Sequence, residues 1–397
     1  MTQSLNSRVN PTTVSGEPIR VLVVDDSSVI RGIVSRWIEA SADMVLAGAA
    51  VNGSDAIKRA AALRPDIIIL DIEMPEMDGI TALPQLLKLC PQSRIIMAST
   101  LTRRNAEISL KALSLGASDY VPKPTSISGG DAAEDFKREL MTRIVALGRR
   151  RLTSQGAEAR TSPGTAGRTQ GPSVGTEASQ PAARPGAIPV PVAAKGGLPL
   201  QKPSSVPAQI IAIGSSTGGP QALVQVVSAL SAELSAPVVI TQHMPPTFTA
   251  ILAESIARSS GLKCVEAVTG MMLERGCVYV APGDYHMTIK GRGGPIELNQ
   301  APPENFCRPA VDPMFRSVAA AYGPLALGVV LTGMGSDGRD GARAIVGAGG
   351  TVIAQDEETS VVWGMPGAVA LAGLASAILP LDLIGAEIKK KLGVKSR

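Results

Sequence analysis

Residues 66–79 read D-I-I-I-L-D-I-E-M-P-E-M-D-G. An apolar run of strand length, Asp66 to Leu70, stops at a carboxylate, Asp71, and gives way to a helix-length segment. The same unit recurs on either side. Ile19 to Val24 runs into Asp25-Asp26-Ser27-Ser28 and a helical pattern through Trp37, Arg94 to Ala98 ends at Ser99, and a further strand ends near Lys123-Pro124. Strands alternating with helix-length segments imply a parallel sheet with helices on both faces. The first third is therefore expected to be a doubly wound (βα)5 unit. In such sheets, sites form beyond the carboxyl ends of strands, which gathers Asp25, Asp26, Asp71, Ser99 and Lys123 at one edge although they are far apart in sequence.

The chemistry of that set is coherent. Clustered carboxylates suit a hard divalent cation such as Mg²⁺, which offsets their repulsion and neutralises an incoming phosphoryl group. An aspartate can accept that group covalently. Lys123 offers a mobile positive charge and Ser99 a hydroxyl donor. Singly, each residue has an ordinary reading, because an Asp after a strand is often a helix N-cap and a Lys before a Pro is usually solvated. Four strand ends carrying D-D, D, S and K-P in that order are not an ordinary coincidence. Through V-L-V-V-D-D-S, the stretch quoted above and D-Y-V-P-K-P, residues 19–140 resemble a response-regulator receiver domain. The resemblance implies Asp71 as phosphoacceptor, Asp25 and Asp26 as the acidic pair around Mg²⁺, and Glu73 lending its backbone carbonyl to the metal. It also places Ser99 and Tyr120 at the two switch positions and Lys123 at the family's lysine position.

The second half carries different chemistry. Gln209 to Ile213 is strand-like and enters Gly214-Ser215-Ser216-Thr217-Gly218-Gly219-Pro220, which contains a G-x-S-x-G match. Such a glycine-crowded turn can cradle a phosphate on backbone N–H groups, or expose a nucleophilic hydroxyl where the same groups stabilise an oxyanion. Histidines help to choose, since a serine nucleophile needs a positioned base. The chain has two. His243 follows the apolar strand Pro237 to Ile240 and should emerge at the same sheet edge as Ser216. His286 falls in an expected β-hairpin, Cys277 to Lys290, interrupted by Pro282-Gly283-Asp284. The apolar run Leu325 to Leu331 leads to Asp337 and Asp340, of which Asp337 is the candidate orienting carboxylate and Asp340 a helix cap. The order Ser, His, Asp is not that of an α/β-hydrolase.

Residues 209–393 resemble the chemotaxis receptor methylesterases, the protein-glutamate methylesterase family, through I-G-S-S-T-G-G-P-Q-A, Q-H-M-P-P-T-F, V-Y-V-A-P-G-D-Y-H-M and L-T-G-M-G-S-D-G. A receiver ahead of this unit is that family's own arrangement. The resemblance implies Ser216 as nucleophile, His243 as general base, Asp337 as the group that holds the imidazole, and Thr217 and Met334 flanking the oxyanion region. It also implies the substrate, γ-methyl glutamate and some glutamines on the cytoplasmic helices of methyl-accepting chemotaxis receptors. A chemotaxis histidine kinase is the implied phosphodonor, and the unphosphorylated receiver is implied to cover the active site. Mg²⁺ is expected in the receiver and no cofactor in the catalytic unit, which is expected to be a three-layer α/β domain with a mainly parallel sheet.

Between the two units, from about Arg149 to Pro203, the chain is rich in Pro, Gly, Ser, Ala and Thr without sustained periodicity. Eight basic residues there face two acids, a local charge of +6, so the remainder of a +4 chain carries −2. The basic balance thus belongs to the connecting segment, which argues against a nucleic-acid groove on either folded unit. The expected division is a disordered tail 1–18, receiver 19–140, flexible linker 141–206 and catalytic unit 207–395. Four cysteines without CxxC spacing and a polar start fit a reducing cytoplasm. The uncharged stretch Thr359 to Leu381 is broken by Pro366 and Pro380, which suits an element of an α/β domain and not membrane insertion. The protein is expected to be a monomer. Two rival readings, a DNA-binding response regulator or a phosphate- or nucleotide-binding output module, lack respectively a helix-turn-helix pattern and a G-K-[ST] ending.

Overall fold

The computed structural model describes residues 17–124, 131–158, 197–230 and 234–393. The N-terminal unit runs β1 (Ile19–Val24), α1 (Ser28–Glu39), β2 (Met44–Ala50), α2 (Gly53–Leu63), β3 (Ile67–Asp71), α3 (Gly79–Leu89), β4 (Arg94–Thr100), α4 (Arg103–Ser114), β5 (Asp119–Lys123) and α5 (Asp131–Glu158). Its five strands are all parallel in the order β2-β1-β3-β4-β5. Strands buried on both faces read as continuous apolar runs. Accordingly, Val21 and Val23 face α1 and α5 through Val34, Ile38 and Phe136, while Leu22 and Val24 join Ala56, Leu83 and Ala106 of α2, α3 and α4. Ser27 caps α1 by accepting from Ile30 N–H, so the start of that helix does not require an aspartate cap.

The boundary expected at residue 140 falls inside α5. Leu140, Ile144 and Leu147 are all buried in the receiver core, at spacings that put them on one helical face. The arginines that follow, Arg149 to Arg151, give the segment a polar composition that hides this face. Residues 159–196 of the expected linker and 1–16 of the expected tail lie outside the described residues. At its other end the expected linker is bonded to the second unit: Gln201 N–H donates to Ala375 O (2.8 Å) and Ser204 N–H to Thr351 Oγ1 (2.9 Å).

The second unit contains β6 (Ile210–Ser215), α6 (Gly219–Ser228), β7 (Val238–Gln242), α7 (Phe248–Ser260), β8 (Lys263–Glu266), β9 (Cys277–Val280), β10 (His286–Ile289) and β11 (Ile296–Asn299). It continues with α8 (Val311–Tyr322), β12 (Ala326–Val330), α9 (Arg339–Gly347), β13 (Thr351–Gln355), α10 (Met365–Leu371), β14 (Ala377–Leu379) and α11 (Leu381–Lys391). Seven parallel strands form one sheet, β14-β13-β12-β6-β7-β9-β8. One face is covered by α6, α7 and α11 through Leu223, Phe248 and Ile384, the other by α8, α9 and α10 through Phe315, Ile345 and Val369. This is the three-layer α/β arrangement. The stretch Thr359 to Leu381 forms α10 and β14, and no described helix is long and apolar enough to cross a membrane.

The hairpin is not where the sequence reading put it. β9 lies in the parallel sheet between β7 and β8, and β10 instead pairs antiparallel with β11. The bend at Gly283 turns the chain out of the sheet, and it needs glycine because a Cβ there would stand 2.2 Å from Pro246 N. The hairpin turn itself is made by Gly291 and Gly293, at φ +72° and +70°.

Candidate active site

The order of the central strands fixes what meets at the edge of the second sheet. β6, β7 and β12 are neighbours there, and the chain leaves them at Ser216, at His243 and toward Asp337. The turn after β6 is locked by its own bonds: Ser216 N–H donates to Thr332 O (3.0 Å), Gln242 Nε2 donates to Ser216 O (3.0 Å), and Ser215 Oγ donates to Gln242 Oε1 (2.7 Å). Gly218 sits at φ +76° with the Val361 side chain 2.5 Å from where a Cβ would be, so only glycine fits. The N–H groups of Thr217 and Met334 have no hydrogen-bond partner among the described residues.

His243 Nε2 lies 2.7 Å from Asp337 Oδ2. The carboxylate is buried, and a buried charge requires hydrogen bonds to survive. It receives them from Val311 N–H (2.6 Å), Asp312 N–H (3.1 Å), Gly338 N–H (2.9 Å) and Asn305 Nδ2 (3.0 Å). Each such bond to a charged group contributes about 1.5–3 kcal/mol. Burial would push Asp337 up, but the bond and charge of His243 and the N–H groups of Val311 and Asp312 hold it below the ordinary carboxylate value. Burial opposes a charged imidazole too, yet the Cys307 sulfur and Asp337 outweigh it and push His243 up to about 10. The second ring nitrogen, Nδ1, faces Cys307 Sγ at 3.4 Å. Among the described residues Ser216 Oγ has no hydrogen bond, to His243 or to anything else, although Ser216 and His243 line one cavity of about 490 Å³.

His286 is elsewhere and fully engaged. It is 1% exposed, with Nε2 3.1 Å from Pro302 O and Nδ1 accepting from Ala310 N–H at 3.2 Å, so it pins the loop that leads to α8. Asp340 lies in the first turn of α9, paired with Arg343 at 2.6 Å. Asn305, Cys307 and Asp312 were not singled out from sequence, since none stands at a strand end.

At the receiver edge, Asp25, Asp26 and Asp71 hold carboxylate oxygens within 4.8 Å of one another. Lys123 Nζ lies 2.6 Å from Asp71 and 3.2 Å from Asp25. Burial pushes Asp71 up to about 6 against the pull of Lys123. Glu73 lines a cavity of about 520 Å³ with Asp26 and Asp78. Ser99 Oγ is bonded to Ser109 Oγ of α4 at 3.0 Å. Tyr120 is buried and stacks on Phe248 of α7, with ring centroids 4.7 Å apart and planes 8° from parallel.

The two edges are joined through the contact between the units. Asp119 Oδ2 accepts both from Arg143 Nε (2.8 Å) and from Thr217 Oγ1 (2.9 Å), the residue after Ser216. Gln221 Nε2 donates to Leu113 O and Ala117 O (2.6 and 3.0 Å), and Arg103 pairs with Glu254 at 3.0 Å. Receiver residues Pro122, Arg138, Glu139 and Arg143 form one wall of the cavity that contains Ser216 and His243.

The sequence matches two family models, the response regulator receiver domain over residues 21–130 and the CheB methylesterase over residues 211–388. It is 50% identical over 383 residues to the protein-glutamate methylesterase/protein-glutamine glutaminase 1 of Paramagnetospirillum magneticum, covering 94% of this chain and 96% of that one. The protein-glutamate methylesterase/protein-glutamine glutaminase of Rhodopseudomonas palustris strain BisB5 is 49% identical over 392 residues, 98% of either chain. Among solved structures, the Thermotoga maritima CheB methylesterase catalytic domain is 42% identical and covers 47% of this chain and 99% of its own, with a TM-score of 0.45. The chain belongs to the CheB methylesterase family, with a receiver domain preceding the family's catalytic domain.

Proposed function

We propose that this protein hydrolyses γ-methyl esters of glutamate on chemoreceptor helices, and deamidates selected glutamines there, under control of receiver phosphorylation. The observation that carries the reading is the placement of His243 between Asp337, at 2.7 Å, and the cavity lined by Ser216. With Nε2 committed to the carboxylate, Nδ1 is the nitrogen that takes the Ser216 proton as Oγ attacks the ester carbonyl. The N–H groups of Thr217 and Met334 receive the developing oxyanion. Methanol, or ammonia from a glutamine, leaves with the proton from Nδ1, and water hydrolyses the acyl-enzyme by the same base.

The receiver cluster suits Mg²⁺. Its donors are all oxygens, and the Asp26 side chain is exposed and ready to ligate. Asp25, Asp26 and Asp71 with the Glu73 carbonyl would hold the ion, which when bound neutralises phosphoryl charge. Asp71 is the phosphoacceptor, Lys123 pairs with the phosphoryl oxygens, and Ser99 and Tyr120 relay the change to the interface. A chemotaxis histidine kinase in the cytoplasm supplies the phosphoryl group, and the protein works as a monomer with no cofactor in its catalytic unit.

Methanol release from methylated receptor membranes, with and without a small-molecule phosphodonor, tests the function. A rate that rises with the phosphodonor is expected. Asp71→Asn should fold, keep the resting rate and ignore the phosphodonor, because an amide forms no acyl phosphate. Stimulation of that variant equal to the parent's would remove Asp71 from the switch.

Asp337 has a separate signature in the pH profile. The Cys307 sulfur and the Asp337 anion together favour the imidazolium, so the neutral base that takes the Ser216 proton is populated only as pH rises toward about 10. The ascending limb of kcat should therefore lie above the ordinary His range. Asp337→Asn removes the anion, moves that limb to lower pH, and lowers the maximal rate by roughly 10³–10⁴-fold through loss of imidazole orientation. An unmoved limb in this variant would show that Asp337 does not govern the titration of the base.

A further inference from the structure

Cys307 shares the general base with Ser216. It closes a tight turn in which Cys307 N–H donates to Glu304 O (2.9 Å) and Glu304 N–H to Cys307 O (3.2 Å). The two residues between them, Asn305 and Phe306, take left-handed φ values of +52° and +63°. A phenylalanine in that conformation is strained, and such strain persists only where surrounding contacts over-determine it. They do so here: Asn305 Nδ2 is held by both Asp312 and Asp337 at 3.0 Å, and Glu304 is paired with Arg316 at 2.6 Å. The turn is thereby tied to the same carboxylate that holds His243. Its result is the 3.4 Å approach of Cys307 Sγ to His243 Nδ1, in the cavity lined by Ser216, which is 8% exposed and whose Oγ has no hydrogen bond among the described residues.

The other three cysteines are placed differently. Cys90 and Cys264 are buried, with burial pushing Cys264 up to about 12, and Cys277 is buried against Glu274. Only Cys307 is half-buried, opens onto the cavity and has an imidazole within reach. Reactive thiols are accessible and stand beside a group that takes their proton.

We propose that Cys307 is a redox-modification site of the catalytic centre, at which a peroxide converts the thiol to a sulfenic acid and withholds His243 from Ser216. This rests on the reading of His243 as the general base. Nδ1 takes the thiol proton, the thiolate attacks one peroxide oxygen as the O–O bond breaks, and the hydroxide released takes the proton back as water. The sulfur loses two electrons and the peroxide gains them. The Cys307 S–O–H group remains against Nδ1, so the Ser216 proton has nowhere to go. A dithiol reverses the step, returning the Cys307 thiol with water and the dithiol's own disulfide.

The full chain, activated by phosphodonor, is treated with hydrogen peroxide and sampled two ways: sulfenic acid trapped by dimedone and located by peptide mass spectrometry, and methanol release relative to the same sample untreated. Dimedone should mark Cys307 at least tenfold faster than Cys90, Cys264 or Cys277. Activity should fall with the same time course and return with dithiothreitol. His243→Ala should slow the marking of Cys307 several-fold, a readout that does not depend on turnover. Cys307→Ser, or Cys307→Ala if the serine variant does not fold, should lose less than twofold of its own rate under treatment that silences the parent. Equal peroxide loss in parent and Cys307 variants, or marking indifferent to His243→Ala, would overturn the proposal. An untreated parent that releases no methanol while Cys307 is still marked would count against the esterase reading and not against the thiol site.

Discussion

Ser216→Ala and His243→Ala are each expected to cut methanol release by roughly 10⁵–10⁶-fold, and the double variant is expected to be hardly slower than either. The imidazole has a use in hydrolysis only if a hydroxyl at the same sheet edge delivers a proton to Nδ1, and the hydroxyl attacks only if that nitrogen receives it. Removing one partner leaves the other without a task, so the second removal costs little more. In the proposed mechanism the residual rate would come from the N–H groups of Thr217 and Met334 acting on a bound ester without a nucleophile. A serine-directed phosphonate gives a second reading of the same point: it should label Ser216 in the parent, label it far more slowly in His243→Ala, and leave Ser216→Ala unlabelled. Retention of most turnover by Ser216→Ala would sink the mechanism.

How much of this site could be read in the sequence follows from where its residues sit. Ser216 and His243 stand directly after strands, where an apolar run followed by a polar residue is visible in one dimension, and parallel pairing of β6 with β7 brings them together. Asp337 lies further out, but the run before it and the glycines around it marked a loop at the third strand end. The receiver cluster was legible for the same reason. By contrast Asn305 and Cys307 reach the site from the loop before α8, whose path is set by His286 and by the Asn305 bonds to two aspartates. No periodicity announces such a loop. The misplaced hairpin and the misplaced receiver boundary have a common origin: Gly283 and the arginines after α5's buried face looked like turn and linker chemistry, while tertiary packing decided otherwise. Contact between the units was legible only as an implication of family resemblance: Asp119, Thr217, Gln221 and Phe248 all lie within the stretches that mark the two units, but nothing in their spacing pairs a residue of one unit with a residue of the other.

That contact leads to the remaining large effect: a chain beginning at Gly197 should release methanol at least tenfold faster than the resting full-length protein. The start point matters. Beginning near Val206 would discard Gln201 and Ser204, whose N–H groups bond to Ala375 O and Thr351 Oγ1, and would confuse lost inhibition with lost stability. The seven-stranded sheet is covered on both faces by its own helices, so the shortened chain retains its core. In the full protein Arg138, Glu139 and Arg143 wall the cavity, and Asp119 holds the hydroxyl of Thr217, the residue after Ser216. The contact need not be strong. The aromatic stack of Tyr120 on Phe248 adds about 0.5–1.5 kcal/mol beyond its buried area, and a covalent connection gives the receiver an effective concentration on the order of millimolar. A docked fraction between about 90 and 99% would yield a gain of about 10- to 100-fold on removal. Tyr120 and Asp119 belong to the strand that carries Lys123, so in the proposed switch phosphorylation would act on the same residues. Tyr120→Ala should therefore raise the resting rate part of the way and leave less for a phosphodonor to add. A chain from Gly197 that folds but runs no faster than the resting protein would exclude occlusion, and would mean that the phosphorylated receiver must be present to switch the catalytic unit on.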